Sequence, residues 1–223
     1  LAEHFPGGSG SPAYVLVPEQ DAARAATVLQ SASGVDAVAV LSADAPGGQS
    51  PVSVSDGALQ TTAFGAPGTP APAPTVADGD VLLAATLADT ADSPAADETV
   101  RQLRADLTTE LGEGTALVGG VTATDIDSID TSIRDRTLII PIVLAVILLI
   151  LMALLRSIVA PLILIGTVIV AFGAALGVSA LVFDGILGFP GADPAVPLYG
   201  FVFLVALGLH HNIFLMSRVR EES

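Results

Sequence analysis

The sequence predicts an α+β domain of the split βαβ, ferredoxin-like kind followed by three transmembrane helices, and three observations predict it. Of 23 acidic residues, 19 precede Thr137, and only Asp184, Asp193, Glu221 and Glu222 follow it. The part before Thr137 is polar, rich in Gly and Pro, and twice repeats a strand, helix, strand pattern, while the part after it holds three long apolar runs. The 223 residues are 52% hydrophobic and 14% charged, with a mean hydropathy of +0.71. Soluble domains carry about 25% charged residues, so this balance argues for a membrane protein. Residues 1–136 form the first domain, 137–217 the membrane part and 218–223 a cytoplasmic end.

In the first domain, Ala13 to Val17 is a short β-rich run. Glu19 to Ser31 follows as a helix, with Ala22, Ala25, Val28 and Leu29 at helical spacing and Gly34 placed to end it. Val35 to Leu41 reads as the second strand. A loop with Gly47 and Gly48 and a weak alternation at Val52 to Val54 come next, and the proline-rich stretch Gly65 to Pro74 reads as an extended linker. The pattern then recurs. Val81 to Leu87 is a strand, and Ser93 with Pro94 supplies an N-cap and first helical position. Val100, Leu103, Leu107 and Leu111 mark one helix face, and Thr115 to Val118 closes the unit. From Thr124 onward, Ile126, Ile129 and Ile133 keep helical spacing directly into the first apolar run, which predicts one continuous helix.

The apolar runs are 137–155, 157–183 and 199–216. Crossing about 30 Å of hydrocarbon takes about 20 apolar residues, and each run is near that length or longer. Arg156 lies between the first two runs and Arg218 and Arg220 follow the third, so the rule that basic residues stay inside puts this edge in the cytoplasm and residues 1–136 outside it. Arg134 and Arg136 oppose that assignment, but long domains translocate largely regardless of charge. The expected location is the plasma membrane, multi-pass. On the second run Gly166, Gly173 and Gly177 share a face, and the small-xxx-small spacing of Gly173 and Gly177 suits close helix packing.

Charge and composition exclude several functions. A formal charge of −15 without a single Lys makes nucleic acid an unsuitable partner, because phosphates are bound by Lys and Arg. Zero Cys removes thiolate catalysis, disulfides and Cys-ligated zinc. Gly7, Gly8 and Gly10, and again Gly119 and Gly120, lack the spacing and the lysine of a phosphate loop and read as turns. No catalytic triad, cofactor loop or metal cluster stands out, so no cofactor and no enzymatic activity are expected. The absence of an initial Met suggests a piece of a longer protein.

Three stretches carry a resemblance: VGGVTATD from Val118, LLRSIVAPL at Leu154 to Leu162, and FVFLVALGLHHNIFLMSRVREE at Phe201 to Glu222. With HFPGGSGSP at His4 to Pro12, they resemble the MMPL branch of the resistance-nodulation-division transporters over essentially the whole chain. The resemblance implies a bacterial plasma-membrane exporter of lipids, drugs or other hydrophobic molecules, driven by proton entry, with an extracytoplasmic porter domain. This chain would be the porter subdomain and three helices of one repeat, and its partners the lipid bilayer, a hydrophobic or lipid substrate, and the remaining helices and second repeat.

One departure falls where the chemistry would be. The family's Gly-x-Asp-Tyr-Asn is here Gly208-Leu209-His210-His211-Asn212, so two histidines replace the Asp-Tyr proton relay that the family implies. An ionisable residue within a membrane helix is a functional candidate by default. Histidine, with an unperturbed pKa of about 6.5, can load and release a proton near physiological pH. Yet protonated His is a cation where protonated Asp is neutral, so every charge state of the site shifts by one unit. Neighbouring side chains point about 100° apart on a helix, which favours His210 as the carrier, with Asn212 placed to orient a ring. Two other readings stay open: an uncoupled membrane-anchored assembly module, or a metal-ion exporter using the His pair. Adjacent histidines lack the i, i+4 spacing of two ligands on one helix face, and no metal site is assigned.

Overall fold

The computed structural model describes residues 10–66, 68–183, 185–188 and 193–207. The chain divides into two compact units, Leu1–Asp127 and Ser128–Ser223.

The first unit is an antiparallel sheet with helices on one face. Its strands are β1 (Ala13–Pro18), β2 (Val35–Leu41), β3 (Gln49–Ser55), β4 (Ala58–Thr61), β5 (Val76–Ala77), β6 (Asp80–Leu87) and β7 (Leu117–Gly119). The strand order is β4-β3-β2-β6-β1-β7, with β5 also paired to β6. Helix α1 (Ala22–Ser31) links β1 to β2, and α2 (Pro94–Leu111) links β6 to β7. Side chains alternate across a strand. One set, Val15, Val17, Val38, Val40, Val81, Leu83, Ala85 and Leu87, is buried against Ala25, Ala26 and Leu29 of α1 and Val100, Leu103 and Leu107 of α2. Apolar periodicity and β-branched strands thus build one core.

Several boundaries differ from the sequence reading for visible reasons. Glu19–Asp21 is a 3-10 turn and α1 begins only at Ala22, since the Glu19 N–H donates to the Gly79 carbonyl at 3.0 Å. The weak alternation at Val52 to Val54 belongs to a hairpin of β3 and β4, turned by Asp56 (φ 52°) and Gly57 (φ 74°). Strand β7 lies two residues later than Thr115 at its start, its register fixed by Val118 opposite Val15. Ser93 caps α2 as expected, its side chain accepting from the Ala96 N–H at 3.2 Å, and Gly112 at φ 94° ends the helix.

Helix α3 (Val121–Leu155) is continuous over 35 residues, as the isoleucine spacing predicts. At 1.5 Å per residue it is about 50 Å long, and its C-terminal part is the first apolar run. Pro141 lies inside it and withholds the N–H that would pair with the Thr137 carbonyl. Arg156, at φ 47°, turns the chain into α4 (Val159–Phe183). Both helices are long and apolar enough to cross a membrane. A shorter apolar helix, α5, covers Val196–Leu207. It starts three residues before the predicted Tyr199, because the Asp193 carboxylate accepts from the Ala195 N–H at 2.8 Å and the Asp193 carbonyl from the Val196 N–H at 3.0 Å.

Candidate functional site

His210, His211 and Asn212, the proposed relay, lie outside the described residues, and so does the rest of the run to Met216. The structure does describe the helix that leads to them and the packing that sets it. Within the second unit, Phe201 and Val205 of α5 are buried with Val168 of α4. Ile140, Val143, Leu144 and Ile147 of α3 and Phe172 of α4 pack around them. The Phe172 and Phe201 rings meet edge to face, centroids 5.5 Å apart at 74°, the arrangement that sets a positive ring edge on a negative face. Gly200 fits beside them, since a Cβ there would stand 3.9 Å from Phe172 Cε2.

The three glycines singled out on α4 fall elsewhere. Gly166 is half-buried and Gly173 and Gly177 are exposed, and a Cβ at any of them would meet nothing within 4 Å among the described residues. They sit roughly a third of a turn round α4 from Ile165, Val168 and Phe172. The core described between these helices runs instead through Val168, Phe172, Phe201 and Val205, which the sequence reading did not single out. Helix α4 is apolar all round, so its composition carries no marker of which side faces a neighbour.

In the first unit, polar contacts converge where α3 begins. Arg104 of α2 bonds both carboxylate oxygens of Asp127, Nη1 to Oδ1 at 2.6 Å and Nη2 to Oδ2 at 3.0 Å, and Nη2 also donates to the Val118 carbonyl of β7 at 3.1 Å. Such bidentate pairing fixes geometry as well as charge. Thr122, nearly fully buried, donates its hydroxyl to the Ala91 carbonyl at 2.8 Å. Gly120 has φ 113°, and a Cβ on it would lie 2.8 Å from the Pro12 carbonyl oxygen. Gly120 is thus a turn and a close backbone approach, as expected, whereas Gly119 is the last residue of β7, paired with Tyr14. Among the described residues no group of three or more His, Asp or Glu is placed to hold a metal ion.

A sheet unit joined to helices long and apolar enough to cross a bilayer is the build of a membrane protein. The MMPL family matches over residues 1–223, and the chain belongs to that family. Over its whole length it is 51% identical to the putative membrane protein SCO0839 of Streptomyces coelicolor, of which it covers 28%. It is 45% identical over 102 residues, 46% of this chain and 14% of the relative, to the apo-petrobactin exporter of Bacillus anthracis. It is 44% identical over 115 residues, 52% of this chain and 10% of the relative, to the sulfolipid-1 exporter MmpL8 of Mycobacterium tuberculosis. The chain thus spans little more than a quarter of the longest-matched of these relatives.

Proposed function

We propose that this chain is the porter subdomain and three transmembrane helices of one repeat of a proton-driven exporter in the plasma membrane, moving lipids or other hydrophobic molecules. The observation that carries the reading is the family match across all 223 residues. Relatives named as exporters of apo-petrobactin and of sulfolipid-1 support export as the activity. The order β2-β6-β1-β7, with α1 and α2 as the two crossovers, is the one a split βαβ porter unit would have. The arginine pattern, Arg156 after α3 and Arg218 and Arg220 after the third run, favours residues 1–136 outside and 218–223 inside.

In this reading His210 takes up a proton, and its positive charge attracts an acidic partner from the remaining helices. Loss of the proton releases that partner, and the change in pairing drives the helices between two arrangements. Asn212 orients the ring, and His211, on a different side of the helix, lines the path. Phe201, on the helix that precedes these residues in sequence, packs against Phe172.

The test is transport in vesicles with an imposed pH gradient, using the full-length protein and comparing the native pair with the double variant His210→Asp, His211→Tyr. Proton-dependent export by the native pair, lost in His210→Ala, supports the relay. Export by the Asp-Tyr variant alone would favour the second reading, an uncoupled assembly module, to which the loss of the Asp-Tyr pair itself points. Zinc-dependent proton uptake by the native pair would point to metal export.

A further inference from the structure

Four chain ends of the first unit meet at one end of its sheet. There β1 runs out at Pro18 opposite Asp80, the first residue of β6, α2 stops at Leu111, and β7 begins at Leu117 beside Leu16. Residues of these ends border an open cavity of about 440 Å³, a size within the roughly 300 to 1,000 Å³ of small-molecule sites. Leu16, Leu111 and Leu117 give it an apolar wall, while the carboxylates of Asp21 and Asp80 and the Thr115 hydroxyl give it acceptors. Among the described residues no basic side chain lines it.

The state of each polar group narrows the ligand. Asp21 is committed to Arg24 at 3.1 Å, and Arg24 also donates to the carboxylate and the carbonyl of Glu110 in the last turn of α2. Thr115 donates its hydroxyl to the Leu111 carbonyl at 3.1 Å, which leaves its oxygen free to accept. Asp80, half-buried, has no side-chain hydrogen bond or ion pair among the described residues. A neutral apolar guest would cover that carboxylate and leave it unpaired, at a cost. An anion would meet two carboxylates and the negative C-terminal end of α2. A bare divalent cation takes about six oxygens or more and would leave the leucine wall unused, and among the described residues no group of three or more His, Asp or Glu is placed to hold one. A primary ammonium on a short hydrocarbon chain fits every part: its N–H groups reach Asp80 and Thr115 and its chain lies along the three leucines. We infer that this cavity is a binding site for a small organic ammonium ion, with Asp80 as its counter-charge. The field of the unit favours the same guest, because the unit is strongly acidic and its basic residues are only Arg24, Arg101 and Arg104. The inference goes beyond the export reading and takes nothing from it.

The experiment titrates the full-length protein, in a non-ionic detergent, with butyl-, pentyl- and hexylammonium by calorimetry, with protein-free micelles as the blank. Saturable binding of hexylammonium is expected, with a Kd of about 1 mM or lower, and each methylene that the leucine wall covers should tighten it by up to about fourfold. Hexanol, which lacks the charge, should bind about tenfold more weakly. Asp80→Asn should weaken hexylammonium binding by about tenfold or more, the loss expected of a hydrogen bond to a charged group. Asp36→Asn, which removes an exposed acid on β2, should leave it unchanged. Leu117→Ala, at a position 61% exposed, decides the matter if Asp80→Asn does not accumulate, because the preference for hexyl- over butylammonium should then fall. The inference is overturned by any of four results: no saturable binding, equal losses in the two Asp variants, hexanol bound as tightly as hexylammonium, or an unchanged chain-length preference in Leu117→Ala. No readout involves transport, so a protein that fails to export leaves this result intact, and an empty cavity leaves the export reading intact.

Discussion

Arg104 and Asp127, 23 residues apart, meet through two parallel hydrogen bonds, and the same guanidinium holds the Val118 carbonyl. One side chain thereby ties α2, β7 and the first turns of α3. Both partners remain partly in water, with side-chain exposures of 31% and 62%. The expected coupling energy is accordingly modest, about 0.5 to 1 kcal/mol. A double-mutant cycle of Arg104→Ala and Asp127→Ala, read by pulse proteolysis in urea, checks it. Arg104→Lys should lose most of the coupling, because an ammonium cannot reproduce the forked geometry. A coupling indistinguishable from zero would reduce the pair to a surface contact.

Gly120 and Gly119 are adjacent but should respond oppositely to alanine. At Gly120 an added Cβ meets the Pro12 carbonyl oxygen at 2.8 Å in a backbone conformation with φ 113°. Gly120→Ala is expected to destabilise the first unit by about 2 kcal/mol, in the range for residues held in unfavourable backbone regions. Gly119→Ala has open space around the new methyl and should be within about 0.5 kcal/mol of the parent. The urea midpoints of the two variants decide between these outcomes.

Leu103 is fully buried between α2 and the sheet. Leu103→Ala removes apolar contact and leaves a cavity, an expected loss of about 2 to 5 kcal/mol. Leu103→Met keeps the volume and should cost less than about 1.5 kcal/mol. Similar losses for both, seen as equal shifts in protease sensitivity, would mean that packing at this position is not what holds α2.

Ser93 tests the local start of α2. Its side chain satisfies the Ala96 N–H, so Ser93→Ala should cost about 1 kcal/mol and Ser93→Asp should retain the cap. Amide exchange over the first turn of α2 reports the difference, and unchanged exchange in the alanine variant would contradict it.

The Phe172 and Phe201 contact offers a test within the second unit. Phe201→Leu keeps an apolar side chain but loses the ring, and should cost about 0.5 to 1.5 kcal/mol beyond the area lost. Thermal unfolding of the purified protein in detergent is the measurement, with Phe203→Leu, 67% exposed in the described structure, as the comparison. Equal effects at both positions would remove the edge contact from the account of how α5 is held.

Much of the first unit was legible because burial and period coincide in it. Val100, Leu103 and Leu107 sit at helical spacing and are the residues α2 buries, and the second strand was bounded at Val35 and Leu41, where it is found. The β3 and β4 hairpin was harder, because Ser50, Val52 and Val54 mix polar and apolar residues on one face and blur the alternation. Its signal was the Asp56-Gly57 pair, which favours the left-handed turn both residues adopt. The proposed relay positions, His210, His211 and Asn212, lie outside the described residues and rest on a departure from a family pattern, since a charge-bearing residue in an apolar run stands out by composition but does not name its partner. The packing that precedes them was not legible at all. In α4, where nearly every residue is apolar, nothing in the order of side chains distinguishes Phe172 from its neighbours.

The position of β1 in the sheet also sets a timetable. It is the first strand to be synthesised, yet its two neighbours are β6 and β7, the last two. Its edges therefore stay open through the making of α1, the β3 and β4 hairpin and the proline-rich stretch, and such non-local pairing is slow to close. Closure waits for Gly119, one residue before the turn into α3. During biosynthesis the sheet cannot be complete before the chain has been made up to the start of α3. Pausing of translation just ahead of that point would leave a nascent chain with a raw strand edge, the species that chaperones have to shelter.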